Sequence, residues 1–242
     1  TVSRVNALHA EQTTPAGAHR AAPSVASCVV DIRDRHAVTD LCARVERTHR
    51  RVDICVNNAA VAPHRSLREY PEELWESVFS VNAKGTFLMT QTVGAQMVRN
   101  GIRGRIVNFS SAAATKGGQG SAAYASSRAA TEAFGRVAAI ELAPFGITVN
   151  TVRPGLIDTQ PKPLPPRMAE ALKNRIPTLP MQRPGEADEV ASVVLFLASP
   201  LSSYMTGSVV TVDGGASVGT FSAGPVIDDD PRYTWLSAER DA

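Results

Sequence analysis

Short apolar, β-branched runs alternate along the chain with longer stretches in which apolar residues recur every three to four positions. The short runs predict strands at Val25–Asp31, Val52–Asn57, Arg105–Ser110, Thr148–Arg153 and Ser208–Val212. The helical pattern covers Ala37–Arg47, Glu72–Val81, Lys84–Arg99, Tyr124–Ala143, Arg167–Asn174 and Ala187–Ala198. Pro144 and Gly146 supply the stop signals for the long fourth helix. The strand runs are apolar throughout, which suits strands covered on both faces. Strands that alternate with helices in this way predict the α/β class, as a three-layer, doubly wound parallel sheet with helices on both faces.

Two stretches break the pattern. Gly155–Pro184 is dense in proline, with Pro161, Pro163, Pro165 and Pro166 close together, and reads as a lid over a substrate. Ser217–Ala242, with Gly224–Pro225 and the acidic run Asp228 to Asp230, lies beyond the last strand. The domain is therefore expected to occupy residues 1–216 and the tail 217–242, the tail being either a loose end or an arm that touches a partner.

Composition narrows the function. A formal net charge of +2 over 242 residues, with basic residues scattered, gives no field suited to nucleic acid or an anionic membrane. No apolar run approaches the roughly 18 residues needed to span a bilayer, and Thr1 to Gln12 has no signal-peptide layout. Cys28, Cys42 and Cys55 have no paired spacing, so neither a disulfide framework nor a zinc site is expected. Cys28 and Cys55 fall in strand-like runs and are expected to be buried, reduced thiols, which places the protein in the cytoplasm. His9, His19, His36, His49 and His64 show no ligand spacing, and no metal is expected.

The chemistry gathers where strands end. Ser110 and Ser111 close one strand, Tyr124 opens a helix and Asn82 sits between two helices. Ligands of open parallel sheets bind at the carboxyl ends of the strands, so the hydroxyl of Ser111 and the phenol of Tyr124 are expected to converge there. A phenol exchanges a proton with an alcohol near neutral pH only when a cation stabilises its anion. Arg128 follows Tyr124 by one helical turn, on the same face.

These residues belong to an ordered series. Val56-Asn57-Asn58-Ala59-Ala60, Asn82-Ala83-Lys84-Gly85, the strand Ile106 to Ser111, Tyr124-Ala125-Ser126-Ser127-Arg128, Arg153-Pro154-Gly155 and Val212-Asp213-Gly214-Gly215 succeed one another along the chain. In that order they resemble the NNAG, NxxG, catalytic-serine, YxxxK, PG and DGG elements of the short-chain dehydrogenase/reductase family, over about Thr1 to Ala216. The resemblance implies a Rossmann-type fold and a nicotinamide-dependent oxidoreductase acting on a small carbonyl or alcohol. Tyr124 would be the general acid or base, Ser111 would bind the substrate oxygen, and Asn82 would hold a water in a proton relay. Asp31 and Ile32 would meet the adenine, with Asn58, Ala59 and Ala60 on the adenosine side. Pro154, Gly155, Ile157 and Thr159 would face the nicotinamide, and Tyr124 and Arg128 its ribose. Homotetramers or homodimers through the two long helices are also implied.

Three departures qualify the resemblance. Arg128 stands for the family lysine; it keeps the charge, but it is bulkier and cannot relay a proton near neutral pH. Ala60 stands for glycine, a change expected to matter little. The glycine-rich turn that cradles pyrophosphate does not precede Asp31, so about 35–40 residues of the family pattern, near one βαβ unit, are unmatched. The unmatched strand would sit at the sheet's centre, and a sheet without it would expose unpaired edges. Ser3 and Arg4 then fall where a 2′-phosphate is read, and the arginine favours NADP(H) over NAD(H). Arg128 leaves open an atypical reaction such as dehydration or cyclisation, and the unmatched loop leaves open a catalytically dead scaffold or binder. Outside the series, Asp213 reads as a turn residue, and Trp75 with Phe79 as packing.

Overall fold

The computed structural model describes residues 25–159, 163–164, 166–219 and 221. Four parallel strands form the main sheet: β1 (Ile54–Asn57), β2 (Arg105–Phe109), β3 (Thr148–Pro154) and β6 (Val209–Val212), in the order β1-β2-β3-β6. Two further strands, β4 (Ile157–Asp158) and β5 (Gly185–Glu186), make a small parallel pair beyond the end of β3. The helices are α1 (Arg35–His49), α2 (Glu72–Phe79), α3 (Thr86–Arg99), α4 (Ala122–Leu142), α5 (Pro166–Arg175) and α6 (Ala187–Ala198). Among the described residues, no helix is long and apolar enough to cross a membrane.

Neighbouring strand residues point to opposite faces, and both faces are covered. Ile106 and Val149 join Val38, Leu88, Met97 and Ile147 in one buried cluster, under α1, α3 and α4. Val107 and Val152 join Val190 and Leu197 in a second cluster, under α6. The expected Rossmann-type layering of helix, sheet and helix is therefore present, with α6 matching its sequence bounds residue for residue. Its start is fixed by Glu186 and Glu189 in a capping box, and Gly146, at φ 74°, turns the chain after α4.

Three local expectations need correction. Residues 25–31 run without a ladder instead of forming a strand. An extended segment needs a neighbour for its N–H and C=O groups, and among the described residues β1 is the sheet's edge. The consequence is exposed apolar surface: Val29 is fully exposed, and Ile54 and Val56 are nearly half exposed. Cys28 is exposed for the same reason, whereas Cys42 and Cys55 are buried. Lastly, the break expected between the second and third helices is a π-helical segment, Ser80–Gly85, that carries α2 into α3 without a loop.

Candidate active site

β2 delivers Ser111 to the carboxyl edge of the sheet. Ser110 continues the ladder by donating to the Val152 carbonyl at 2.8 Å, and Ser111 then caps the short 3-10 turn Ala112–Ala114, its Oγ accepting from Ala113 N–H at 3.2 Å. Tyr124 lies in the first turn of α4. Both side chains line one cavity of about 500 Å³, whose walls are Ala112, Ala113, Gly117 and Gly118 on one side and Gly155, Leu156 and Leu179 on the other. Small loop residues and residues of the segment after β3 thus line the space together.

Arg128 is buried at 3% exposure, with its guanidinium carbon 5.4 Å from the centre of the Tyr124 ring. One terminal nitrogen donates to the Phe109 carbonyl at 2.7 Å, while Nε is buried without a partner. The spacing of one helical turn therefore does bring cation and phenol ring together. Asn82 is fully buried. Its Oδ1 accepts from Val61 N–H and its Nδ2 donates to the Val61 carbonyl, both at 2.9 Å; Nδ2 also reaches Ser127 Oγ at 3.0 Å. Its main-chain carbonyl accepts from Thr86 Oγ1 at 2.8 Å and from Thr131 Oγ1 at 3.4 Å. Asn82 thus clamps the loop after β1 to the start of α4.

Under the site lies a buried polar group that the sequence reading missed. Glu132 on α4 accepts from Ser110 Oγ at 2.6 Å and from Arg153 of β3 at 2.8 and 2.7 Å. Burial pushes the Glu132 carboxyl up, but the hydrogen bonds from Arg153 and Ser110 outweigh this and hold it below its ordinary range. Glu132 and Arg153 lie one turn past Arg128 and just before Pro154-Gly155, so adjacency to the motifs was the available signal.

The residues expected to hold a dinucleotide fall in several places. Ile32, Asn58 and Ala59 line one narrow cleft beside the end of β1, where Ile32 also packs on Gly85. A Cβ at Gly85 would stand 2.6 Å from Ile32 Cδ1, so any larger residue there would push the Ile32 side chain aside. Asp31 is paired with Arg33 at 2.7 Å; the hydrogen bonds from the Arg33 side chain and backbone lower its carboxyl to about 2. Pro154 ends β3, and Gly155 joins Tyr124 in the large cavity. Ile157 packs on the second core cluster and lines a different cavity, with Met181 and Gly214; Ala60 and Thr159 are exposed. Ser3 and Arg4 lie outside the described residues. Asp213 is a turn residue, accepting from Gly215 and Ser217 N–H groups. Trp75 and Phe79 stack at 4.8 Å. Among the described residues, no group of three or more acidic, histidine or cysteine side chains is placed to hold a metal.

The cleft beside β1 suits one end of a dinucleotide on the structure's own terms. The Ile32, Asn58 and Ala59 cleft has an apolar wall and an amide beside it, as a purine slot needs. Gly155 lets the end of β3 pack against the turn after β6: a Cβ there would stand 2.5 Å from Asp213 Cβ.

The chain is similar to known proteins along most of its length. A family profile described as Enoyl-(Acyl carrier protein) reductase matches residues 2–217. The 3-oxoacyl-[acyl-carrier-protein] reductase FabG of Thermotoga maritima is 39% identical over 188 residues, 77% of this chain and 75% of that one. The (3R)-3-hydroxyacyl-CoA dehydrogenase of Rattus norvegicus is 36% identical over 207 residues, covering 85% and 76%. A crystal structure of a short-chain type dehydrogenase/reductase from Mycobacterium marinum superposes with a TM-score of 0.73 at 31% identity, covering 78% and 74%. Fold, ordered motifs and these likenesses agree: the chain belongs to the short-chain dehydrogenase/reductase family, nicotinamide-dependent oxidoreductases that interconvert hydroxyl and carbonyl groups.

Proposed function

We infer that the chain is an NADP(H)-dependent oxidoreductase that interconverts a carbonyl and an alcohol on a small molecule, with Tyr124 as the proton-transferring group. The observation that carries this reading is the single cavity shared by Ser111, Tyr124 and Gly155, with the buried Arg128 guanidinium against the tyrosine ring. The names of the Thermotoga and rat relatives describe 3-oxo and 3-hydroxy acyl groups, the same carbonyl and alcohol pair.

When bound, the nicotinamide supplies or accepts hydride. The chain's own residues do the rest. Ser111 Oγ accepts from Ala113 N–H and keeps its own proton for the substrate oxygen. Tyr124 hands its phenolic proton to that oxygen in reduction and takes it back in oxidation. Arg128 is a fixed positive charge against the tyrosine ring and does not exchange protons itself. Asn82 supports the site as a clamp through Val61 and Ser127 and is assigned to hold a water in a proton relay. Ile32, Asn58 and Ala59 are assigned to the adenosine half, and Pro154 and Gly155 to the nicotinamide half. The preference for NADP(H) rests on Ser3 and Arg4.

The cytoplasm is the proposed compartment, supported by the free thiols of Cys28, Cys42 and Cys55. Self-association into homodimers or homotetramers is proposed too, supported by exposed Val137 and Ile140 on the long helix α4. The deciding experiment compares the wild type with Tyr124→Phe and Ser111→Ala, using NADPH or NADH and 3-oxo esters. Turnover lost by at least a hundredfold, with NADPH binding retained, is the expected result. Undiminished turnover in Tyr124→Phe refutes the mechanism, and equal use of NADH refutes the cofactor preference.

A further inference from the structure

The cavity that holds Ser111 and Tyr124 is unevenly charged: among the described residues its lining includes Lys116 and Arg175 and no carboxylate. Lys116 follows the 3-10 turn Ala112–Ala114, and its Nζ donates to the Ala216 carbonyl at 3.4 Å. That contact uses one ammonium proton and leaves two. Arg175 closes α5 on the opposite wall. Neither side chain pairs with a carboxylate among the described residues. Two uncompensated cations facing one cleft focus a field that favours an anion. A neutral ligand would gain less from them, having no charge to pair.

The cofactor does not account for the pair on its adenine side, because the cleft of Ile32, Asn58 and Ala59 shares no residue with this cavity. Apart from His64, Gln119, Leu156 and Leu179 the rest of the lining is mostly small, and a volume of about 500 Å³ leaves room for more than the reacting carbon and its oxygen. We propose that the substrate carries an anionic group, a carboxylate or a phosphate, which Lys116 and Arg175 hold while its carbonyl or hydroxyl lies against Ser111 and Tyr124. The proposal rests on the reading of this cavity as the reaction site, and it narrows that reading to acidic substrates.

The test uses the full-length protein with 3-oxohexanoate, its ethyl ester and its coenzyme A thioester, in the wild type, Lys116→Arg and the double variant Lys116→Gln/Arg175→Gln. In the wild type, kcat/KM for an anionic form exceeds that for the ester by roughly 10- to 100-fold, the value of a charged hydrogen bond or two. Preference for the free acid identifies a carboxylate and preference for the thioester a phosphate-bearing carrier. The double variant brings the ratio of anion to ester close to one, whereas Lys116→Arg retains it. A ratio unchanged in the double variant overturns the proposal, as does an unchanged ratio with a raised KM for NADPH, which assigns the cations to the cofactor. Calorimetric titration with 3-oxohexanoate separates the two layers. If no carbonyl compound is turned over, the redox reading fails, yet binding weakened tenfold in the double variant still supports the anion site and equal binding still overturns it.

Discussion

Replacing Glu132 with glutamine perturbs the molecule where the candidate site is anchored. The carboxylate takes a hydrogen bond from Ser110 at the end of β2 and two from Arg153 on β3, so one side chain ties helix α4 to two strands. The pair is well shielded, with side-chain exposures of 17% for Arg153 and 8% for Glu132. Removing one partner of a buried pair costs about 3–5 kcal/mol, because the other charge stays behind without compensation. Asp213 lies near enough to Arg153 to stabilise its charge, which favours the low end, about 3 kcal/mol. For a domain of this size each kcal/mol lowers Tm by roughly 2–4 °C, so the expected loss is about 6–12 °C. Thermal unfolding followed by circular dichroism reads it directly. The double variant Glu132→Leu/Arg153→Met should recover most of the loss, since it leaves no buried charge. A single variant that melts within about 2 °C of the wild type refutes the argument.

The same pair fixes a pH dependence. The folded carboxyl of Glu132 sits below its ordinary range, so its contribution is full above the unfolded value of about 4.3 and disappears as pH falls through the folded one. The Tm gap between wild type and Glu132→Gln should therefore be widest above about pH 5 and shrink in more acidic buffer. A gap that widens on acidification would mean that the carboxyl is destabilised in the fold, not held.

Other outcomes follow from single contacts. Arg128→Lys should stay within roughly tenfold of wild-type kcat and Arg128→Met should fall by a hundredfold or more, because the charge and not the planar shape serves the tyrosine; equal losses in kinetic assays would assign the role to shape. Gly155→Ala should lower both Tm and turnover, by about 1–3 kcal/mol in stability, since the new methyl meets Asp213 Cα at 2.7 Å. In thiol labelling of the native protein Cys28 should react first, while Cys55, whose thiol burial and then the nearby Cys42 push up to about 12, waits for unfolding. Ile140→Glu should reduce the mass seen by light scattering in solution if α4 mediates self-association, and an unchanged mass removes that helix from the interface.

Much of this was legible in the sequence, and the exceptions share a cause. Helical periodicity and strand runs record which faces are buried, so α6 and the four sheet strands could be placed within a residue or two of their observed bounds. Residues 25–31 carry the same apolar signature but no ladder, because the pattern says nothing about which neighbour supplies the hydrogen bonds. β4 and β5 escaped because two residues are too few to show a period and an irregular segment separates them. Within the site, Ser111 and Tyr124 were legible because ordered motifs mark them, and the one-turn spacing gave Arg128. Glu132 with Arg153, and Lys116 with Arg175, were not. Each pair joins elements distant in the chain, and only packing α4 on β3, or closing α5 over the cavity, reveals that they share a space.

Arg128 shows why a charge at this position needs more than its own spacing. A guanidinium at 3% exposure must find acceptors, and a cation left wholly unpaired there would be strongly disfavoured. The Phe109 carbonyl at the end of β2 takes one of its protons, and the tyrosine ring face offers a second, weaker site. The nearest carboxylate on the same helix face, Glu132, is already committed to Arg153 and Ser110. Arg128 is thus left without an anionic partner among the described residues, and its charge remains available to the phenol. Had Glu132 turned to Arg128 instead, the two charges would have cancelled one turn from Tyr124. Arg153, by engaging Glu132, leaves the Arg128 guanidinium uncompensated beside the Tyr124 ring.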